Sequence, residues 1–180
     1  MKIVIDACVL YPSVMREMVV GAARAGGFEA VWSPRLLEEW ARAAAKLGPE
    51  GAAQARAEIA LLRAAMPSCE VRPPPELERR LWLPDPADLH VLAAAIHCSA
   101  DAIMTLNAKD FPRGILAEEG LSRVDPDSFL LGLWKASPQI IAPVAQDVLG
   151  QARRLSGQDW DMRGLMKKAR LPRLGKALSA

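Results

Sequence analysis

The sequence predicts an α/β protein: a three-layer α/β/α domain around a central parallel sheet, followed by C-terminal helices. Three observations lead there. Short apolar runs of strand length alternate with longer helical segments. Proline and glycine stand where such elements should begin and end. Hydrophobic residues make up 51% of the 180 positions, enough for a buried core and too many for a disordered chain.

The first element is Lys2–Asp6, an unbroken I-V-I run closed by an acid, which reads as a buried strand with Asp6 at its carboxyl end. Pro12 and Ser13 open an apolar helix to about Ala25, stopped by Gly26 and Gly27. Glu29–Trp32 is a second strand. Ser33-Pro34 pairs an N-cap with a proline at the first helical position and starts a helix to about Leu47. An alanine-rich helix covers about Gly51 to Ala65, and Pro73–Pro75 is a connector. Asp85-Pro86 starts a helix to about Ser99, Ala102–Thr105 is a third strand, and Asn107–Gly114 is a polar turn region. Leu121–Val124 is a fourth strand, Asp125-Pro126 caps another helix, and beyond Ser137-Pro138 the chain is helical. The expected division is a body at residues 1–135 and a basic helical extension at 136–180.

Charge supports that division. Residues 1–150 carry 15 Lys/Arg against 19 Asp/Glu, whereas residues 151–180 carry 8 against 2. The overall +2 thus hides a mildly acidic body and a basic end that suits an anionic partner or a solvated helical face. Three widely spaced cysteines without ligand spacing argue against a disulfide scaffold or structural zinc and for a reducing compartment. MKIVID reads as a strand and not a signal peptide, and no stretch is apolar for long enough to span a bilayer. These features together place the protein in the cytoplasm.

In an open parallel sheet, chemistry sits beyond the carboxyl ends of the strands. Asp6 ends the first strand, Glu38 and Glu39 lie early in the helix after the second, and Asp85 and Asp88 open the helix leading to the third. Asp110 follows the third within T-L-N-A-K-D-F. Each acid also has a plainer reading: Asp85 as an N-cap, Asp88 as a helix-dipole acid, Glu38 as a solvated acid and Asp110 as a turn residue. Asp6 is the hardest to explain this way, because a carboxylate ending a buried strand needs hydrogen bonds or a cation. Four clustered carboxylates would repel, and a hard divalent cation such as Mg²⁺ or Mn²⁺ relieves that repulsion and can promote phosphodiester cleavage.

Other chemistries lack support. There is no GxGxxG, P-loop or GxSxG motif. His90 and His97 read as packing or hydrogen-bonding residues, and Cys8 as a buried thiol without a nearby base. A receiver domain or an aspartyl phosphatase would need acids or a lysine at positions where Asp6-Ala7-Cys8 and the last strand do not supply them.

Four segments, V-I-D-A-C-V-L-Y-P (Val4–Pro12), W-S-P-R-L-L-E-E-W (Trp32–Trp40), L-P-D-P-A-D-L-H-V-L-A-A-A-I (Leu83–Ile96) and I-M-T-L-N-A-K-D-F-P (Ile103–Pro112), together resemble the PIN-domain nucleases in the order they occur. The resemblance covers roughly residues 1–130, and the helical extension is similar to that of one VapC-like toxin branch. It implies a metal-dependent ribonuclease in which Asp6, Glu39, Asp88 and Asp110 are the catalytic acids, with Glu38 as a register alternative to Glu39. Asp6, Asp88 and Asp110 would hold Mg²⁺ or Mn²⁺, supported by Thr105, Asn107, Asp85 and Glu38. Arg35, Lys109 and Arg113 would contact the RNA strand. An antitoxin partner and a homodimer are implied in the same way. The sequence departs from the branch pattern at Ala87, where a second Asp is common, and from the resemblance also at Leu89, where arginine is common, and at Asn107, where many PIN domains have an Asp. Whether one metal or two are held stays open, as does the alternative of a catalytically inactive RNA-binding or assembly module.

Overall fold

The computed structural model describes residues 1–180. In chain order the first half comprises β1 (Lys2–Ile5), α1 (Ala7–Leu10), α2 (Ser13–Arg24), β2 (Glu29–Val31), α3 (Pro34–Ala45), α4 (Pro49–Ala65) and α5 (Pro75–Glu78). The second half comprises α6 (Leu89–His97), β3 (Ala102–Met104), α7 (Arg113–Glu118), β4 (Ser122–Val124), α8 (Pro126–Ala136), α9 (Pro138–Ser156), α10 (Met162–Lys168) and α11 (Pro172–Leu178). This is the expected α/β class, a four-stranded parallel sheet with flanking helices and further helices at the C-terminal end. The chain divides into two compact units, one of Met1–Tyr11 with Glu29–Arg123 and the other of Pro12–Phe28 with Val124–Ala180.

The first unit is built on the sheet, in the order β2-β1-β3-β4. β1 runs parallel to both neighbours, with Ile3 opposite Ala30 and Ala102 and Val4 opposite Val31 and Ile103. Ile3, Val4 and Ile5 are fully buried, as a continuous apolar run must be when a central strand is covered on both faces. β2 ends one residue earlier than its sequence suggests. Trp32 instead pairs with the 69–71 segment, donating its N–H to Cys69 and accepting from Val71. Ser33 caps α3 by accepting the Leu36 N–H at 3.2 Å, and Pro34 fills the first turn. Along α3, Leu36, Leu37, Trp40, Ala41 and Ala44 form one buried stripe at helical spacing. α6 is different: Val91 through Ala95 are all buried, and its alanines let it lie close on β1 and β3. The short helices α1, α5 and α7 were not expected, since four to six residues are too few to show a period.

The second unit is helical. α2 packs against α9 closely enough that a Cβ on Gly21 would fall 2.5 Å from Val144 Cγ1. Phe28 meets Phe129 of α8 edge to face, with ring centres 5.1 Å apart. Asp125 caps α8 through the Ser128 N–H at 2.9 Å, as its Asp-Pro pair predicts. Asp127, only 5% exposed, accepts the Arg173 and Leu174 N–H groups at 3.0 and 2.9 Å, one on each carboxylate oxygen. These are donors that the start of α11 would otherwise leave without partners. No helix of the chain is long and apolar enough to cross a membrane. Cys8, Cys69 and Cys98 are all free thiols. Asp127→Ala removes two charge-assisted bonds from a buried position and should lower the unfolding free energy by about 2 kcal/mol, seen as an earlier urea midpoint at unchanged slope.

Candidate metal centre

Asp6 leaves β1 with extended backbone, donates its N–H to Met104 and accepts from Val9 and Leu10 through its carbonyl. Its side chain caps nothing and turns instead to neutral donors. Thr105, buried just past β3, donates its hydroxyl to Asp6 Oδ2 at 2.6 Å, and the Cys8 thiol donates to the same oxygen at 3.0 Å. The Thr105 hydroxyl in turn accepts the Asn107 N–H at 2.9 Å, and Cys8 Sγ accepts the Leu106 N–H at 3.3 Å. Burial first, and the Asp6 charge second, push the Cys8 thiol up to about 12. It is therefore a neutral donor and not a thiolate nucleophile.

Asp85, Asp88 and Asp110 come together. Each offers a carboxylate oxygen, and the three oxygens lie within 4.8 Å of one another. Asp85 does act as a cap, accepting the Ala87 N–H at 2.9 Å and closing the 3₁₀ turn Pro86–Asp88 that leads into α6. Asp88 stands at the start of α6 without capping it. Asp110 is oriented by Asn107, whose amide donates to its Oδ2. The loop that carries both residues is fastened by Arg123, whose guanidinium donates to the Ala108 and Phe111 carbonyls. Burial is the largest reason the Asp88 carboxyl is raised from 3.8 to about 6, followed by the charges of Asp6, Asp85 and Asp110. Asp6 thus acts on the cluster electrostatically although it is outside the 4.8 Å group.

The other expected residues take different places. Glu39 is outside the group of three, and its Oε1 lies 2.8 Å from His90 Nε2 and 3.7 Å from Arg35 Nε. His90 is 2% exposed and neither ring nitrogen makes a hydrogen bond, so the Glu39 contact is an ion pair only when the imidazole is protonated. Glu38 pairs with Arg56 at 3.3 Å and Arg42 at 3.6 Å, which matches the solvated reading of that acid. Arg35 is shared among Glu39, Glu78 and the Ala87 carbonyl, while Lys109 and Arg113 are exposed. Sequence reasoning gave no part in the site to Cys8, read as a packed thiol, or to His90, read as a packing or hydrogen-bonding residue. The weak signals for them were the position of His90 two residues after Asp88, at the start of α6, and that of Cys8 two residues after Asp6.

The donor set fits a hard divalent cation: three carboxylates converge, a fourth is held nearby, and no lysine or arginine pairs with any of them. A family model described as PIN domain matches residues 2–109, from β1 through the β3 loop. The chain belongs to the PIN-domain family. Comparison with curated proteins and with solved structures found no match. Membership of the PIN-domain family suggests a nuclease and implies binding of nucleic acid. The matched span of this PIN domain includes Asp6, Glu39, Asp85 and Asp88 and stops one residue before Asp110.

Because the folded Asp88 carboxyl lies above its ordinary value, the native state holds a proton that the unfolded chain has lost between about pH 4 and 6. This PIN domain should therefore lose stability as pH rises through that window in metal-free buffer. Asp88→Asn should melt higher than wild type at pH 8, with the difference closing toward pH 4. Parallel melting profiles across that range would remove the carboxylate repulsion from the account.

Proposed function

We propose that this PIN domain is a Mg²⁺- or Mn²⁺-dependent endoribonuclease. The observation that carries the reading is the convergence of Asp85, Asp88 and Asp110 oxygens within 4.8 Å beside a buried Asp6. A bound divalent cation supplies a lowered pKa for attacking water and positive charge for the phosphodiester oxygens in the transition state. In this assignment Asp6, Asp88 and Asp110 hold the metal, Asp85 adds an oxygen, and Glu39 completes the catalytic acids. Thr105 and Cys8 fix one oxygen of Asp6, and the Asn107 amide orients Asp110. Lys109 and Arg113 contact phosphates and read no sequence. Glu38, already paired with two arginines, is left out. The nuclease is assigned to residues 1–135 and the basic helices to 136–180. The four-segment resemblance further supports a VapBC-type toxin, with an antitoxin partner and a homodimer as its expected assemblies and the cytoplasm as its location.

A second reading, an inactive binding module, draws on Ala87 and Asn107, which stand where the resemblance places carboxylates. Thermal melting separates the two. Millimolar Mn²⁺ should raise the wild-type melting temperature, since a ligand at one hundred times its Kd adds about 2.7 kcal/mol, and Asp88→Asn should lose most of that rise. No rise in wild type would put the binding module first. In an RNase assay, Asp6→Asn should abolish Mn²⁺-dependent cleavage while the protein stays folded; cleavage at the wild-type rate would refute the assignment.

A further inference from the structure

The basic side chains of the two units differ in what they already touch. In the first unit many are paired: Lys2 with Glu29, Arg42 and Arg56 with Glu38, Arg63 and Arg72 with Glu70, and Arg80 with Glu119, all within 3.6 Å, while Lys46, Arg79, Lys109 and Arg113 stand exposed. Residues 151–180 hold eight Lys/Arg, every one exposed, and only Asp159 and Asp161 as acids. Asp159 pairs with Arg153 at 3.6 Å, and Asp161 is used to cap α10 through the Gly164 N–H. Lys168 sits over the Trp160 ring and the Arg173 guanidinium bonds Ser128. Arg154, Arg163, Lys167, Arg170 and Lys176 are left facing solvent without a carboxylate.

The frame beneath these cations is rigid. Leu165, Met166, Leu171 and Leu174 are buried between α10, α11 and the rest of the unit. A Cβ on Gly175 would lie 2.7 Å from Met166 Cβ, so the two helices approach about as closely as a glycine permits. Asp127 anchors the start of α11 through two backbone N–H groups. Arg163 and Lys167 stand one turn apart on α10, where like charges repel and gain nothing from the fold itself. A polyanion relieves that repulsion. Protein interfaces are poor in lysine at their centres, and five of the six exposed residues of α10 and α11 are lysine or arginine. A phosphate backbone needs no apolar anchor and draws its affinity from cations of this kind.

We propose that α10 and α11 form a sequence-indifferent grip for the phosphates of a nucleic-acid strand, remote in sequence from the acidic cluster. The choice of RNA as that strand rests on the ribonuclease reading; the grip does not need the catalytic centre. The full chain, held in EDTA to prevent cleavage, is titrated against a short fluorescein-labelled single-stranded RNA of mixed sequence over a range of salt concentrations. Arg163→Gln/Lys167→Gln/Lys176→Gln should weaken binding about tenfold or more at low salt. It should also flatten the log–log salt slope by about 2, at roughly 0.7 per lost phosphate contact, with an equal or higher melting temperature. Unchanged affinity and slope in the triple variant would overturn the grip, as would displacement of the RNA by polyglutamate as effectively as by unlabelled RNA, which would assign the surface to an acidic protein. Intact binding with no Mn²⁺-dependent cleavage by wild type would instead overturn the ribonuclease reading and leave the grip standing.

Discussion

The hydrogen bond from Thr105 to Asp6 governs the arrangement of the centre. It joins the ends of β1 and β3, which already exchange the Asp6 N–H and Met104 carbonyl, and passes on through the Asn107 N–H to the loop bearing Asp110. The donors around these acids, a hydroxyl, a thiol and an amide, are all neutral. They fix carboxylate positions without cancelling carboxylate charge, which a lysine or arginine would do. The Asp88 carboxyl is raised to about 6, first by burial and then by three like charges that oppose its ionisation. A site made this way is poorly stable alone and correspondingly receptive to a cation.

The same economy of charge appears across the chain. Surface carboxylates of the first unit are matched by arginines, as with Glu38 and Glu70, while the acidic cluster and the basic face of α10 and α11 are left unmatched. Unmatched charge in a folded protein is a standing electrostatic strain that a ligand of opposite sign removes. Here the two unmatched regions have opposite signs, one suited to a cation and the other to an anion.

Much of this was legible in the sequence, for local reasons. Ser33-Pro34 and Asp125-Pro126 specify helix starts through their own side chains and fixed backbone angles, and both caps form. The I-V-I run specifies a central strand by leaving no polar face. Asp85 shows why two readings of one residue need not compete: its Oδ1 accepts the Ala87 N–H while its carboxylate still belongs to the cluster. Illegible features depend on partners distant in sequence or on elements too short to have a period. Glu39 meets His90 across elements far apart in sequence, and the Cys8 thiol is held against Asp6 by the Leu106 N–H, 98 residues away. Nothing in composition marks α2 as belonging with helices beyond residue 124.

That last feature has a consequence for biogenesis. α2 emerges early in synthesis with Met15, Met18, Val19 and Ala22 on its buried side, yet the helices it packs against, α8 and α9, are made only after the whole sheet-bearing segment. At about 5–20 residues per second the nascent chain carries an uncovered apolar helix for several seconds or longer. The early sheet strands flank that helix in sequence, with β1 before it and β2 after. Completing the second unit is therefore a long-range closure late in translation, and the nascent protein is most exposed to misassociation and to chaperone capture during that interval.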